Sequence, residues 1–154
     1  VAASTVLWYV DCRSELRTQW FLPTALGDKQ IVVPFCTELE GEPVLGLWRL
    51  QAMDELVVGK WKILEPPADQ WHATDRVVRP DELDVAIVPG VAFSPGGARL
   101  GNGQGYYDRL LASVAEDCKR VGLCYECQLF DDLVVGPLDI GMDVLVTEER
   151  VLRT

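Results

Sequence analysis

The run Arg99-Leu100-Gly101-Asn102-Gly103-Gln104-Gly105-Tyr106-Tyr107-Asp108 carries more chemical potential than any other part of this chain. Its glycines alternate, so no side chain blocks a close approach to the main chain, and successive amide N–H groups can converge on anionic oxygens. Arg99 adds a planar, permanently charged fork. An apolar run ending in Pro89 and Gly90 precedes the segment and a helical pattern follows it. The order is strand, glycine loop, helix, with the helix's positive end contributing to a phosphate site. Alternating glycines also make tight turns, so the pattern alone leaves a plain turn open. A dinucleotide site with Glu126 as its ribose-binding acid fails on spacing, because its third glycine would fall at Tyr106.

These residues need elements to hold them. Val6 to Val10 reads as a strand, and Ser14 to Leu26 as a helix with Ser14 as N-cap and Gly27 at its end. Lys29 to Val33 is a second strand stopped by Pro34, and Val44 to Leu50 a third, at an edge. The polar stretch from Pro66 to Pro80 is a connecting loop. Asp84 to Val88 is a buried strand, Tyr106 to Asp117 a helix, and Lys119 to Gln128 and Asp143 to Thr147 further strands. Strand and helix alternate, which predicts an α/β fold: a three-layer, mostly parallel open sheet with helices on both faces, Rossmann-like. Ligands in such sheets sit beyond the carboxyl ends of the strands, here Val10 to Cys12 and Pro89 to Phe93.

The chain has 154 residues, 49% hydrophobic and 25% charged, which fits one soluble domain spanning residues 1–154. Disordered and fibrous classes are excluded, and no apolar stretch approaches the roughly 20 residues that span a bilayer. Fourteen basic against 24 acidic residues give a net charge of −10. That balance opposes nucleic acid and anionic membranes, so an anionic ligand needs a local positive site. Five cysteines without framework spacing predict a reducing compartment, the cytoplasm. Cys124 and Cys127 form a CxxC on what reads as a strand, where they would face opposite ways, so a packing role is expected. His72 stands alone and receives no chemical role. Val1 to Val10 lacks a charged leader and an initiator Met, and reads as a chain that starts inside a fold after an upstream piece.

Pro89-Gly90-Val91-Ala92-Phe93, followed by Gly97-Ala98-Arg99 and the string through Asp108, resembles the signature of the 5-formyltetrahydrofolate cyclo-ligase (methenyltetrahydrofolate synthetase) family. The resemblance extends to Ser14 through Thr18, to Gly59 through Pro66, and to Pro137 through Glu148, and so covers essentially the whole chain. It implies an ATP-dependent ligase of one-carbon metabolism that converts 5-formyltetrahydrofolate to 5,10-methenyltetrahydrofolate, releasing ADP and phosphate. ATP would phosphorylate the formyl oxygen, a neighbouring nitrogen would attack the activated carbon, and phosphate would leave. Phosphoryl transfer of this kind is mostly positioning and charge stabilisation. The implied ligands are these two small molecules and Mg2+, and the implied state is a cytoplasmic monomer. The alternative is a nucleotide- or folate-binding module of the same fold without turnover.

Carried over by residue, the resemblance gives ATP binding to Arg99, Leu100, Gly101, Asn102, Gly103, Gln104, Gly105, Tyr106 and Tyr107. Folate would meet Val10, Glu15, Trp61, and the loop from Asn102 to Tyr106. Arg99 and Asp108 would be catalytic, and Asp108 and Asp139 would hold magnesium. Glu15 would accept hydrogen bonds from the pterin, unless it is only a helix-start acid. Trp61 would stack on the folate rings, unless it packs in the core. Tyr106 and Tyr107 sit about 100° apart on a helix, so one is expected to face the site. Asp143 is a rival metal ligand, or a solvated edge charge. Three features depart from the family pattern: its N-terminal helix bearing Lys and Arg has no counterpart, Gln104 stands where Lys is frequent, and Leu138 precedes Asp139 where His is common.

Overall fold

The computed structural model describes Ala3 to Thr154; Val1 and Ala2, where the expectation about the chain's start is anchored, lie outside the described residues. In chain order the elements are β1 (Thr5–Trp8), α1 (Leu22–Asp28), β2 (Gln30–Leu39), β3 (Glu42–Leu50), β4 (Val57–Val58), β5 (Leu64–Glu65), β6 (Val85–Val88), β7 (Ala92–Phe93), β8 (Arg99–Leu100), α2 (Tyr106–Leu111), β9 (Lys119–Leu123), β10 (Val144–Val146) and β11 (Val151–Arg153). Seven of the strands form one sheet in the order β11-β10-β9-β6-β1-β2-β3. The interior pairs are parallel, and the edge strands β3 and β11 run antiparallel to their neighbours. The expected mostly parallel α/β sheet is present.

Period-two alternation divides the core between the two faces of this sheet. Leu7, Val32, Ala86 and Val88 point to one face, where Leu110 and Leu111 of α2 pack. Val6, Ile31, Val33 and Ile87 point to the other, where Leu22, Ala25 and Leu26 of α1 pack. The two helices therefore lie on opposite faces. At its base the central pair is clasped by Asp84, whose Oδ2 accepts from Ser4 N at 2.7 Å, Ser4 Oγ at 2.9 Å and Thr5 N at 2.9 Å. Among the described residues no helix is long and apolar enough to cross a membrane.

Four boundaries differ from the sequence reading. The predicted helix from Ser14 survives only as Leu22–Asp28, with Pro23 in its first turn and Gly27 inside it. Asp11 draws residues 12–21 into a knot instead: its Oδ1 accepts from Thr18 N at 2.8 Å, Gln19 N at 2.8 Å and Thr18 Oγ1 at 3.1 Å. Short polar side chains of this kind compete with helix for the backbone donors. Strand β2 does not stop at Pro34 but continues to Leu39. Its parallel pairing with β1 ends at Val32, so the missing N–H falls where one side of the strand has no partner. Helix α2 ends at Leu111, where the backbone tightens into a bond from Ser113 N to the Leu110 carbonyl at 2.9 Å. Strand β9 ends at Leu123, leaving Cys124 buried and Cys127 exposed in the turn after it.

Candidate active site

The chain leaves β1 toward β2 on one side of the sheet and returns to build β6 and β9 on the other. Loops after β1 and β6 diverge at that switch, and a crevice opens beyond the carboxyl ends of the strands. The crevice holds about 770 Å3. The residues that the resemblance carried over for ATP, folate and magnesium line it: Val10, Glu15 and Trp61, the run from Arg99 to Asp108, and Asp139. Asp143, His72 and Glu126 do not.

The glycine-loop side is built on β7 and β8, a short antiparallel pair that carries Arg99 next to its turn. Alternation sends Arg99 inward and leaves Leu100 exposed. The Arg99 guanidinium is held by the Asp108 carboxylate, with Nη2 to Oδ2 at 2.9 Å, and by the Pro89 carbonyl at 3.3 Å; its Nε is buried without a hydrogen-bond partner. The Tyr107 ring lies 5.6 Å from the guanidinium. Gly103 (φ +81°) and Gly105 (φ +66°) take left-handed conformations that leave the loop's backbone open to the crevice. Gly105 is the N-cap of α2. With residues Tyr106–Leu111 only, this helix offers first-turn amides rather than a long dipole.

Asp108 also accepts from Ile140 N, at 3.1 Å to Oδ1, which binds the loop carrying Asp139 to the start of α2. Asp139 is exposed and accepts from Gly136 N. Among the described residues no three His, Cys, Asp or Glu side chains converge on a metal-sized centre. Asp108 is engaged once at each oxygen and Asp139 at Oδ2, so each carboxylate keeps acceptor sites of the kind a hard cation such as magnesium takes. Asp143 faces away and is bidentate to Arg120, at 2.7 and 3.0 Å, a pairing that holds its carboxyl below the ordinary range.

The other wall begins with the knot after β1. Glu15 Oε2 accepts from Cys12 N at 2.9 Å, and the Tyr9 hydroxyl donates to the Leu16 carbonyl at 2.9 Å. Burial raises the Glu15 carboxyl above its usual range, the Cys12 N–H opposing that rise. Burial, and then the nearby Glu15, push the Cys12 thiol up to about 11. Glu15 is not at a helix start, since none begins there. Trp61 sits in a turn at φ 56° and is 50% exposed, which excludes the core-packing alternative and puts its ring at the crevice lip. Both tyrosines line the crevice, Tyr107 packing against the two halves of the core and Tyr106 lying beneath Arg109.

Sequence reasoning missed part of this wall. Pro34, Phe35 and Cys36 of β2 and Leu45 of β3 line it because the hairpin projects past the end of β1. Their signal was hidden by reading Pro34 as a stop. Arg13, exposed at φ 54°, and Arg109 were also passed over.

Comparison with known proteins shows the family. The sequence profile of the 5-formyltetrahydrofolate cyclo-ligase family matches residues 1–148. A 5-formyltetrahydrofolate cyclo-ligase of Escherichia coli K12 is 34% identical over 154 residues, covering 98% of this chain and 81% of that protein. A mitochondrial 5-formyltetrahydrofolate cyclo-ligase of Arabidopsis thaliana is 32% identical, covering 94% of this chain and 59% of its own length. The NMR structure of Aquifex aeolicus 5,10-methenyltetrahydrofolate synthetase superposes with a TM-score of 0.78 at 37% identity, over 98% of this chain and 72% of that one. The glycine loop, the crevice at the switch point and these likenesses converge: the chain belongs to the 5-formyltetrahydrofolate cyclo-ligase family.

Proposed function

We propose that this protein couples transfer of the terminal phosphoryl group of ATP to ring closure of 5-formyltetrahydrofolate, forming 5,10-methenyltetrahydrofolate, ADP and phosphate. The observation that carries the reading is that the glycine loop and the Glu15–Trp61 wall share one crevice, so a triphosphate on the loop and a pterin ring on that wall would be neighbours. The open amides of residues 101–105 receive the triphosphate. Glu15, fixed by the Cys12 N–H, accepts from the pterin's donor edge, and Trp61 stacks on the ring system. The two substrates are held with the terminal phosphorus facing the formyl oxygen. Phosphorylation of that oxygen makes it a leaving group, and attack by the neighbouring nitrogen expels it as phosphate.

Asp108 and Asp139 are the residues that would hold magnesium, which neutralises charge on the transferring phosphoryl group when bound. Arg99 acts from beneath the loop, sharing its charge with Asp108. The protein works on these small molecules as a monomer in the cytoplasm, without nucleic-acid or membrane partners. Its five cysteines without framework spacing and its net charge of −10 support that setting.

The closed Arg99–Asp108 pair favours one rival, a binder of nucleotide or folate without turnover. Mixing the protein with 5-formyltetrahydrofolate, ATP and magnesium and following the methenyl absorbance band separates the two. Growth of the band with stoichiometric ADP release is expected. Ligand binding without the band would leave the binder.

A further inference from the structure

The glycine loop is tethered to the opposite wall by a side chain to which neither motif nor composition gave a role. Arg109, on α2, donates from Nε to the Pro43 carbonyl at 2.8 Å and from Nη2 to the Gln104 carbonyl at 2.5 Å. Pro43 lies on β3, opposite Glu38 and near the free end of the β2–β3 hairpin; Gln104 is in the middle of the glycine loop. The guanidinium sits 5.8 Å from the Tyr106 ring centre. A Cβ at Gly105 would come within 2.9 Å of Arg109 Nη1, so the glycine is what lets the fork lie against the loop.

The geometry differs from that of Arg99. Arg99 is committed to a carboxylate, whereas among the described residues Arg109 is in no ion pair, and the bonds it donates go to main-chain carbonyls. A planar fork reaches two carbonyls at fixed angles, which a lysine's single ammonium does not reproduce. Free glycines lose more conformational freedom on ordering than any other residue, so a loop already held at Gln104 binds anions with less to lose.

We propose that Arg109 is a positioning residue: it locks the glycine loop to the β2–β3 hairpin and preorganises the amide cradle, setting affinity for ATP rather than for folate. This rests on the reading of that loop as the triphosphate site. The experiment compares full-length wild type, Arg109→Ala, Arg109→Lys and, as a remote control, Arg79→Ala. It measures KM for ATP and for 5-formyltetrahydrofolate from the methenyl band, ATP affinity by calorimetry with magnesium, and thermal midpoints. Arg109→Ala is expected to raise KM and Kd for ATP on the order of tenfold while KM for folate stays within about twofold, the pattern of lost preorganisation. Arg109→Lys, with the charge but not the fork, should behave like Arg109→Ala. Wild-type ATP affinity in Arg109→Lys would overturn the lock in favour of simple charge. So would both KM values rising together in step with lost stability. If the wild type binds ATP but gives no methenyl band, the cyclo-ligase reading fails while the calorimetric series still decides the lock; if it binds no ATP, both fail.

Discussion

Arg99 and Asp108 form a closed ion pair beneath the glycine loop, 2.9 Å from Nη2 to Oδ2, with the arginine side chain 3% exposed and the aspartate 18%. Severing such a pair strands a charge, whereas replacing both partners removes the problem. Arg99→Met is expected to cost about 3 kcal/mol of stability, at the low end for a broken buried pair because Asp108 keeps the Ile140 N–H. Adding Asp108→Leu should recover part of that cost. Urea unfolding of the two single variants and the double variant checks this, and additive losses would mean that the residues do not depend on each other. Arg99→Ala should also weaken ATP binding by about 1.5 to 3 kcal/mol, the range for a charged hydrogen bond, read by titration calorimetry.

Asp108→Asn, and to a lesser degree Asp139→Asn, should raise the magnesium concentration for half-maximal turnover more than the KM for folate. Asp143→Asn should leave the magnesium response unchanged, because its carboxylate belongs to Arg120. Its effect lies in acid stability instead. A carboxyl held below its ordinary value stabilises the fold above that value, and the contribution is lost as pH falls through the lowered folded-state value. Wild type should therefore lose more stability than Asp143→Asn on acidification below about pH 4, followed by thermal midpoint.

Glu15 has the opposite sign. Its carboxyl is raised by burial, so the folded state binds that proton more tightly than the unfolded chain does. Stability linked to this group is present in acid and lost as pH rises through the raised value. Glu15→Gln should accordingly raise stability near neutrality, by up to about 1 kcal/mol, while raising KM for 5-formyltetrahydrofolate. A variant less stable than wild type at pH 7 with unchanged folate kinetics would remove Glu15 from the site.

Trp61 combines an exposed ring with a left-handed backbone, a costly conformation for a bulky residue. Trp61→Gly should relieve strain and leave the thermal midpoint equal or higher, yet raise KM for folate and not for ATP. A fall of several degrees in midpoint would show instead that the ring supports the fold.

Thr18 is wholly buried, its hydroxyl donating to the Tyr9 carbonyl at 2.7 Å and accepting from Asp11 N at 3.2 Å. Thr18→Val keeps the shape and removes these bonds, at an expected cost of about 1 to 3 kcal/mol. Because the knot carries Glu15, KM for folate should rise with it. Unchanged kinetics in a destabilised Thr18→Val would separate the knot from substrate binding.

What the sequence made legible was local. The glycine loop, Arg99 and Asp108 are contiguous, and β6 and α2 follow from runs of apolar residues around them, so spacing sufficed. Glu15 and Trp61 entered through resemblance, their backbone settings being invisible to periodicity. The helix expected from Ser14 failed because Asp11 and Thr18, seven residues apart, satisfy the donors that a helix would have used. Pro34 misled because a proline's effect depends on whether a neighbour strand extends that far, and β1 does not. Arg109 looked like an ordinary helical arginine, since its partner Pro43 lies 66 residues away in the chain.

The clasp of Asp84 on Ser4 and Thr5 joins points 79 and 80 residues apart. Strand β1 is thus completed long before its parallel neighbour β6 exists on a growing chain, whereas the β2–β3 hairpin closes over the two residues Glu40 and Gly41. Loop closure grows costlier with length, by about 0.6 kcal/mol for each doubling, so the hairpin assembles first and the crevice between β1 and β6 last. Refolding should therefore show early protection of hairpin amides from hydrogen exchange, with recovery of the ligand crevice in the slowest phase. Competence to bind then reports completion of the fold, and a chain released before β6 is made carries one wall of a site with nothing to face.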